Sequence, residues 1–159
     1  MAKVKKTNAM RILDQLKLEY SIYEYNSKDG KIDGISVAEK IDKPVDQVYK
    51  TLVAQGTSKN YYVFVLPVNS ELSLKKAASV SGEKKIEMIP VKDIMKITGY
   101  IRGGCSPLGM KKSYKTFIAL EAERLGLMIF SAGKIGVQIE MTPGDLKGAV
   151  VGEFVEITG

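Results

Sequence analysis

The chain contains no histidine. That absence removes every Ser-His-Asp or Cys-His relay and every histidine-ligated metal site. Any catalysis must run on lysine, carboxylates, hydroxyls, backbone amides, a cofactor or the substrate's own groups. There is one cysteine, Cys105, which excludes an intramolecular disulfide and suits a cytosolic setting. No apolar run is long enough to span a bilayer. The start, Met-Ala-Lys-Val-Lys-Lys, has charge but no apolar segment behind it, so no secretion leader is expected. Dense polybasic runs are missing as well. The 24 basic and 18 acidic residues leave a net charge of +6, a moderate excess that fits an anionic partner without by itself arguing for nucleic acid. The Walker and Rossmann glycine spacings are absent, and there is no repeat, linker or low-complexity segment. With 159 residues, 45% of them hydrophobic, one domain over 1–159 with its own core is expected.

What the chain does have is concentrated glycine. Gly99-Tyr-Ile-Arg-Gly-Gly-Cys-Ser-Pro-Leu-Gly109 cannot be a continuous helix, because its glycines are entropically costly there and Pro107 lacks a donor. Paired Gly103-Gly104 allows close backbone approach, and successive amides in such a turn can cradle an anion. A second glycine turn, Ser131-Ala-Gly-Lys-Ile-Gly136, carries a hydroxyl and Lys134. Lys111, Lys112 and Lys115 form the densest basic patch, which a solvated strand entry explains equally well.

Around these loops the periodicity predicts a helix over 8–18 behind Thr7, a strand over 20–25, and a helix opened by a Ser36/Glu39 capping box. Strands are predicted over 46–54, 61–66, 116–121, 127–130, 137–141 and 153–157, with a short one over 84–88. Ser73 and Thr142 cap further helices, over 74–80 and from Pro143, and Pro90 opens one over 91–97. The mixture reads as α+β with a mixed sheet, open to curling into a barrel. Lys50 stands out among apolar neighbours in the 46–54 strand. Either it is desolvated, with a depressed pKa or an anionic partner, or it is an edge lysine reaching water. Cys105 has only Arg102 and loop amides to activate it, so a small filler role is expected. Lys50, Lys134 and the two glycine turns are the better donor set for an anion or a carbonyl oxygen.

Several ordered motifs resemble one family. Asp46-Gln-Val-Tyr-Lys-Thr-Leu52, Gly99-Tyr100, Gly103-Gly-Cys-Ser-Pro-Leu-Gly109 with Lys111-Lys112, Ser131-Ala-Gly-Lys-Ile-Gly136, Ile139-Glu140 and Gly144-Asp-Leu146 resemble the YbaK/EbsC proteins. These are freestanding relatives of the editing insertion domain of bacterial prolyl-tRNA synthetase, and the likeness is strongest to the Cys-tRNA(Pro) deacylases among them. The resemblance implies a mixed, mostly antiparallel sheet curled into a partial barrel with short helices around it. It also implies removal of cysteine from mischarged Cys-tRNA(Pro), with no cofactor and no metal. The implied partners are the tRNA(Pro) acceptor end and prolyl-tRNA synthetase, in the cytoplasm, with neither DNA nor membrane involved. Carried over residue by residue, the essential lysine is Lys50, and the amides of Gly103 and Gly104 form an oxyanion hole. The expected substrate contacts are Tyr25, Thr51, Ser106, Ser131, Gly133 and Gln138. The substrate thiol attacks its own ester, which fits a chain without histidine. Asp33 falls near a family phenylalanine and Gln138 where close relatives carry aspartate, so these two positions bear on which amino acid is accepted. A deacylase for other mischarged tRNAs such as Ala-tRNA(Pro), a non-catalytic aminoacyl-tRNA or nucleotide-binding module, and a general RNA-binding domain are the competing readings.

Overall fold

A computed structural model describes residues 5–159. The start of the chain, where no secretion leader is expected, falls largely on residues 1–4, outside the described residues. Hydroxyl caps set the helix starts where the sequence predicts them. Thr7, Ser73 and Thr142 each accept from the N–H three residues on, at 3.2, 3.2 and 3.3 Å. They open α1 (Asn8–Gln15), α3 (Leu74–Ser81) and α5 (Pro143–Val150). The expected Ser36 cap is not formed. The helix α2 (Gly34–Lys40) begins earlier, capped by Asp33, whose carboxylate accepts from the Ser36 N–H at 3.1 Å and the Ser36 hydroxyl at 2.7 Å.

The strand read from Asp46 also starts later. Pro44 leads into a 3-10 turn over Val45–Gln47, and β2 runs Tyr49–Gly56. A tight turn closed by the Gly56 N–H on the Asn60 carbonyl (2.9 Å) joins it to β3 (Tyr61–Pro67). The segment after Pro90 splits into a 3-10 turn, Val91–Asp93, and a short α4 (Ile94–Thr98).

The strands form two sheets. In the larger, β4 (Ile86–Met88), β2, β3, β5 (Lys115–Ala119) and β8 (Glu153–Val155) lie in that order, antiparallel across β4-β2-β3 and parallel across β3-β5-β8. In the smaller, β7 (Val137–Met141) lies between β1 (Ser21–Glu24) and β6 (Met128–Ser131), antiparallel to both. The α+β class and the mostly antiparallel pairing agree with the sequence, but the partial barrel does not form. The two sheets meet at a single parallel bridge, Val48 to Ile129. A barrel needs a ladder that continues around the axis with a consistent stagger. Here β4 and β8 end one sheet, and β1 and β6 end the other. Phe64 and Phe117 stack at 5.6 Å within the core, which also buries Leu13, Leu66, Ile118, Phe130 and Ile139 completely.

Candidate functional site

Where the two sheets meet, a cleft of about 590 Å³ opens. Its wall includes six consecutive residues, Val48 to Val53. Side chains of a strand alternate between faces, so a run of neighbours on one wall means that the strand's edge, not a face, borders the cleft. Lys50 lies here, half-buried in β2. Burial pushes its ammonium below the ordinary lysine range, and Glu71 partly offsets this. The structure therefore lies between the two readings of Lys50: it is desolvated, yet on a strand whose edge is open at this point. Thr51, its neighbour, has a buried hydroxyl with no hydrogen-bond partner among the described residues.

The glycine loop supplies the opposite wall through Arg102, Gly103 and Cys105. Gly103 has φ +86°, a conformation that favours glycine, and a Cβ there would press on the tip of Ile32, 2.7 Å from its Cδ1. Tyr100 anchors the loop from below. Its ring is buried, its hydroxyl donates to the Leu108 carbonyl, and burial raises its pKa to about 12. A Cβ on Gly133, at φ +96°, would sit 2.8 Å from that ring. The second glycine turn is thus fitted onto the first. Across β6 and β7, Ser131 pairs with Gln138, and both reach the cleft. Cys105 behaves as the filler the sequence suggests, since burial pushes its thiol up to about 11, far from a thiolate nucleophile.

Lys50, Thr51, Gly103, Ser131 and Gln138 therefore come together. The other expected residues lie elsewhere. Gly104 is buried behind the loop, and its N–H donates to the Ile101 carbonyl at 3.0 Å; the Gly103 N–H makes no hydrogen bond among the described residues. Ser106 is fully buried and accepts from the Leu108 N–H at 3.3 Å. Gly133 supports Ser131, donating to its hydroxyl at 3.1 Å. Tyr25 borders a separate cleft with Asn26, Asp29 and Lys40, and its hydroxyl is buried without a partner. The Lys40 ammonium, 5.7 Å from the Tyr25 ring centre, ties down the 26–31 loop through the Asn26 and Lys31 carbonyls (both 2.8 Å) and Asp29 (2.7 Å).

Arg102 is a cleft residue that the sequence reading did not place in the site, and Asp33, which the resemblance tied to amino-acid selectivity, also lines the cleft. Arg102 sits beside the Gly103 motif, and that adjacency was the available signal. The exposed basic residues Lys111, Lys112 and Lys115 follow the glycine loop at the surface. Among the described residues no group of three Cys, Asp or Glu is placed to hold a metal ion, and no helix is long and apolar enough to cross a membrane.

A family model described as the aminoacyl-tRNA editing domain matches residues 34–149, a span that includes both glycine loops and β2. The chain is 47% identical, over 99% of its length and 98% of the other's, to EbsC of Enterococcus faecalis, named as a candidate Cys-tRNA(Pro)/Cys-tRNA(Cys) deacylase. Among solved structures, a candidate trans-editing enzyme for prolyl-tRNA synthetase aligns over 98% of this chain and 99% of its own, with TM-score 0.83 at 18% identity. A protein described only as hypothetical aligns over 96% and 100%, with TM-score 0.88 at 14% identity. At such identities the two structures speak for the fold alone.

Proposed function

This chain belongs to the aminoacyl-tRNA editing domain family, in its YbaK/EbsC branch, and from that membership we propose that it is a trans-editing deacylase that removes cysteine from mischarged Cys-tRNA(Pro). The observation that carries the reading is the 47% identity to EbsC across essentially the whole of both chains. The need for such an enzyme is physical. Cysteine and proline are close in size, and a synthetase pocket gains little from small apolar differences, so errors have to be cleared at a second site.

The cleft suits this chemistry. The Lys50 ammonium holds the terminal phosphate or the ester oxygen of the tRNA, and burial strengthens that contact. The Gly103 N–H points at the ester carbonyl; the Gly104 N–H, held by Ile101, supports the loop. The substrate supplies its own nucleophile. Its sulfur bonds to the ester carbonyl carbon, the bond from that carbon to the ribose oxygen breaks, and the thiol proton ends on the ribose oxygen. Ser131 and Gln138 border the side-chain end, and the Gln138 amide, where close relatives carry aspartate, tunes which side chain is accepted. The tRNA is engaged at its acceptor end in the cytoplasm, with prolyl-tRNA synthetase supplying selectivity for the tRNA body. The name of EbsC pairs one amino acid with two tRNAs, which favours a pocket that reads the amino acid first.

The test follows loss of label from Cys-tRNA(Pro), Cys-tRNA(Cys), Ala-tRNA(Pro) and Pro-tRNA(Pro), with wild type and Lys50→Ala in parallel. Fast loss from the cysteinyl substrates alone, reduced at least a hundredfold by Lys50→Ala, is expected. Equal loss from Ala-tRNA(Pro) would move the specificity to a broader deacylase. Binding without loss from any substrate, with synthetase added, would leave a non-catalytic module.

A further inference from the structure

The open edge of β2 carries a more specific inference, one that rests on the editing reading. The β2–β3 register fixes the direction of every backbone group in the strand. The Gly56 N–H donates to Asn60, and the Val48 carbonyl accepts from Val68, both at 2.9 Å. Pairs between those limits alternate along an antiparallel ladder. Lys50 and Leu52, opposite Leu66 and Phe64, thus spend their N–H and C=O groups on β3. Tyr49, Thr51 and Val53 aim theirs at the other edge. The Val53 carbonyl there accepts from Ile89 at 3.2 Å, the last bond to the β4 segment, because Pro90 then turns the chain into the 3-10 turn over Val91–Asp93. Along the same edge the smaller sheet is bridged to this segment only at Val48, just before β2, which pairs with Ile129. Thr51 sits in the gap. Its N–H and C=O have no ladder partner among the described residues, its hydroxyl is buried and unpartnered, and the residue borders the cleft.

Two divergent backbone groups on one residue match one type of ligand: a group with a donor and a carbonyl on either side of one carbon. An L-α-aminoacyl ester is such a group. We infer that the aminoacyl moiety is bound as a one-residue strand added to the free edge of β2. Its α-ammonium donates to the Thr51 carbonyl, and its ester carbonyl accepts from the Thr51 N–H. This is strand addition in its shortest form. It makes recognition of the α-amino group a property of the backbone, independent of the side chain at position 51. It also sets a second amide beside that of Gly103 to polarise the carbonyl. Asp33, the carboxylate in the cleft wall, is held through both oxygens by Ser36 as the cap of α2, and its part in binding the ammonium is tested separately.

The test uses 3′-deoxy-3′-(L-cysteinylamino)adenosine, which keeps the aminoacyl group but resists cleavage, titrated into ¹⁵N-labelled full-length protein. The desamino analogue, 3′-deoxy-3′-(3-mercaptopropionylamino)adenosine, serves as the control. The cysteinyl probe is expected to move the Thr51 amide resonance strongly and slow its hydrogen exchange, while Lys50 and Leu52, committed to β3, respond far less. The desamino probe should bind roughly tenfold to a hundredfold more weakly, the range for a charge-assisted hydrogen bond. Asp33→Asn should leave that ratio unchanged. Shifts at Gly103 and Ser131 with Thr51 unmoved, equal affinities for the two probes, or loss of the ratio in Asp33→Asn would overturn the inference and leave the editing reading intact. No movement at any cleft amide would remove both.

Discussion

At Lys50 the physics of a single side chain gives a signed prediction. Burial lowers its pKa, so the ammonium that holds an anionic substrate is lost at a lower pH than for an exposed lysine. After subtraction of the spontaneous loss of ester, kcat/KM of the wild type should fall as pH rises through that lowered pKa. Lys50→Arg, whose guanidinium stays charged, should lack the falling limb even if its activity is lower throughout. Stability moves the other way. Below the folded pKa the desolvated charge opposes the fold, and that cost is relieved as pH climbs from the folded pKa towards the ordinary value. A pH profile in which both variants fall together would show that the limb belongs to another group. Five of the expected residues meet at the cleft. Lys50 stands out in the sequence as a charge among apolar neighbours and Gly103 as part of a glycine pair, whereas Thr51, Ser131 and Gln138 come only from the family resemblance, since strand parity puts Lys50 and Thr51 on opposite faces. Ser106 and Gly133 were not separable from them. A glycine-rich motif says that a loop passes the site, but without strand alternation it does not say which groups face inward. Tyr25 lies one residue beyond β1, where the alternation that could have oriented it has ended.

Elements follow their capping chemistry more closely than their hydrophobic patterns, and α2 illustrates it. The stretch 26–34 is polar and carries two Asp-Gly pairs, so pattern alone gives no reason to start a helix at Gly34. The Asp33 carboxylate decides it. Hydrogen bonds from Ser36 hold its pKa below the usual carboxylate value. Asp33→Ala should cost about 1 kcal/mol, the typical worth of an N-cap, and lower Tm by roughly 2–4 °C in a chain of this size. Asp33→Asn, which keeps an acceptor, should recover most of the loss. Because the folded pKa is depressed, the ionised cap contributes above the unfolded carboxylate pKa and is lost as pH falls through the folded one. The gap between wild type and Asp33→Ala in thermal melts should therefore narrow in acid. Most strands and three of the helix caps could be read locally. The pairing of strands could not, since it depends on contacts between segments far apart in sequence. That is why a partial barrel was expected where the two sheets are in fact joined by one bridge, Val48–Ile129. The same failure to close leaves the edge of β2 open, so the departure from the expected fold is what creates the cleft.

Across the whole molecule the relevant quantity is the charge of +6 and where it lies. Arg102 borders the cleft. Lys92 and Lys96, exposed in the segment that leads from Pro90 to the glycine loop, and Lys111 and Lys112, exposed just beyond that loop, extend the positive field outward. A compact aminoacyl-adenosine probe would reach Lys50 but few of these. A tRNA acceptor stem would place several phosphates among them, and each neutralised phosphate contributes about 0.9 to the slope of log affinity against log salt. With about three phosphates engaged, kcat/KM for Cys-tRNA should fall about fortyfold between 50 and 200 mM salt. Binding of the cysteinyl-adenosine probe should barely change over that range. Reversing Lys111 and Lys112 together to glutamate should flatten the tRNA slope by about two units while leaving the probe's affinity unaltered. An unchanged slope in that double variant would put the acceptor stem on another face of the molecule. A steep slope for the small probe as well would mean that salt acts on the cleft itself, through Lys50, and not on the surface that leads to it.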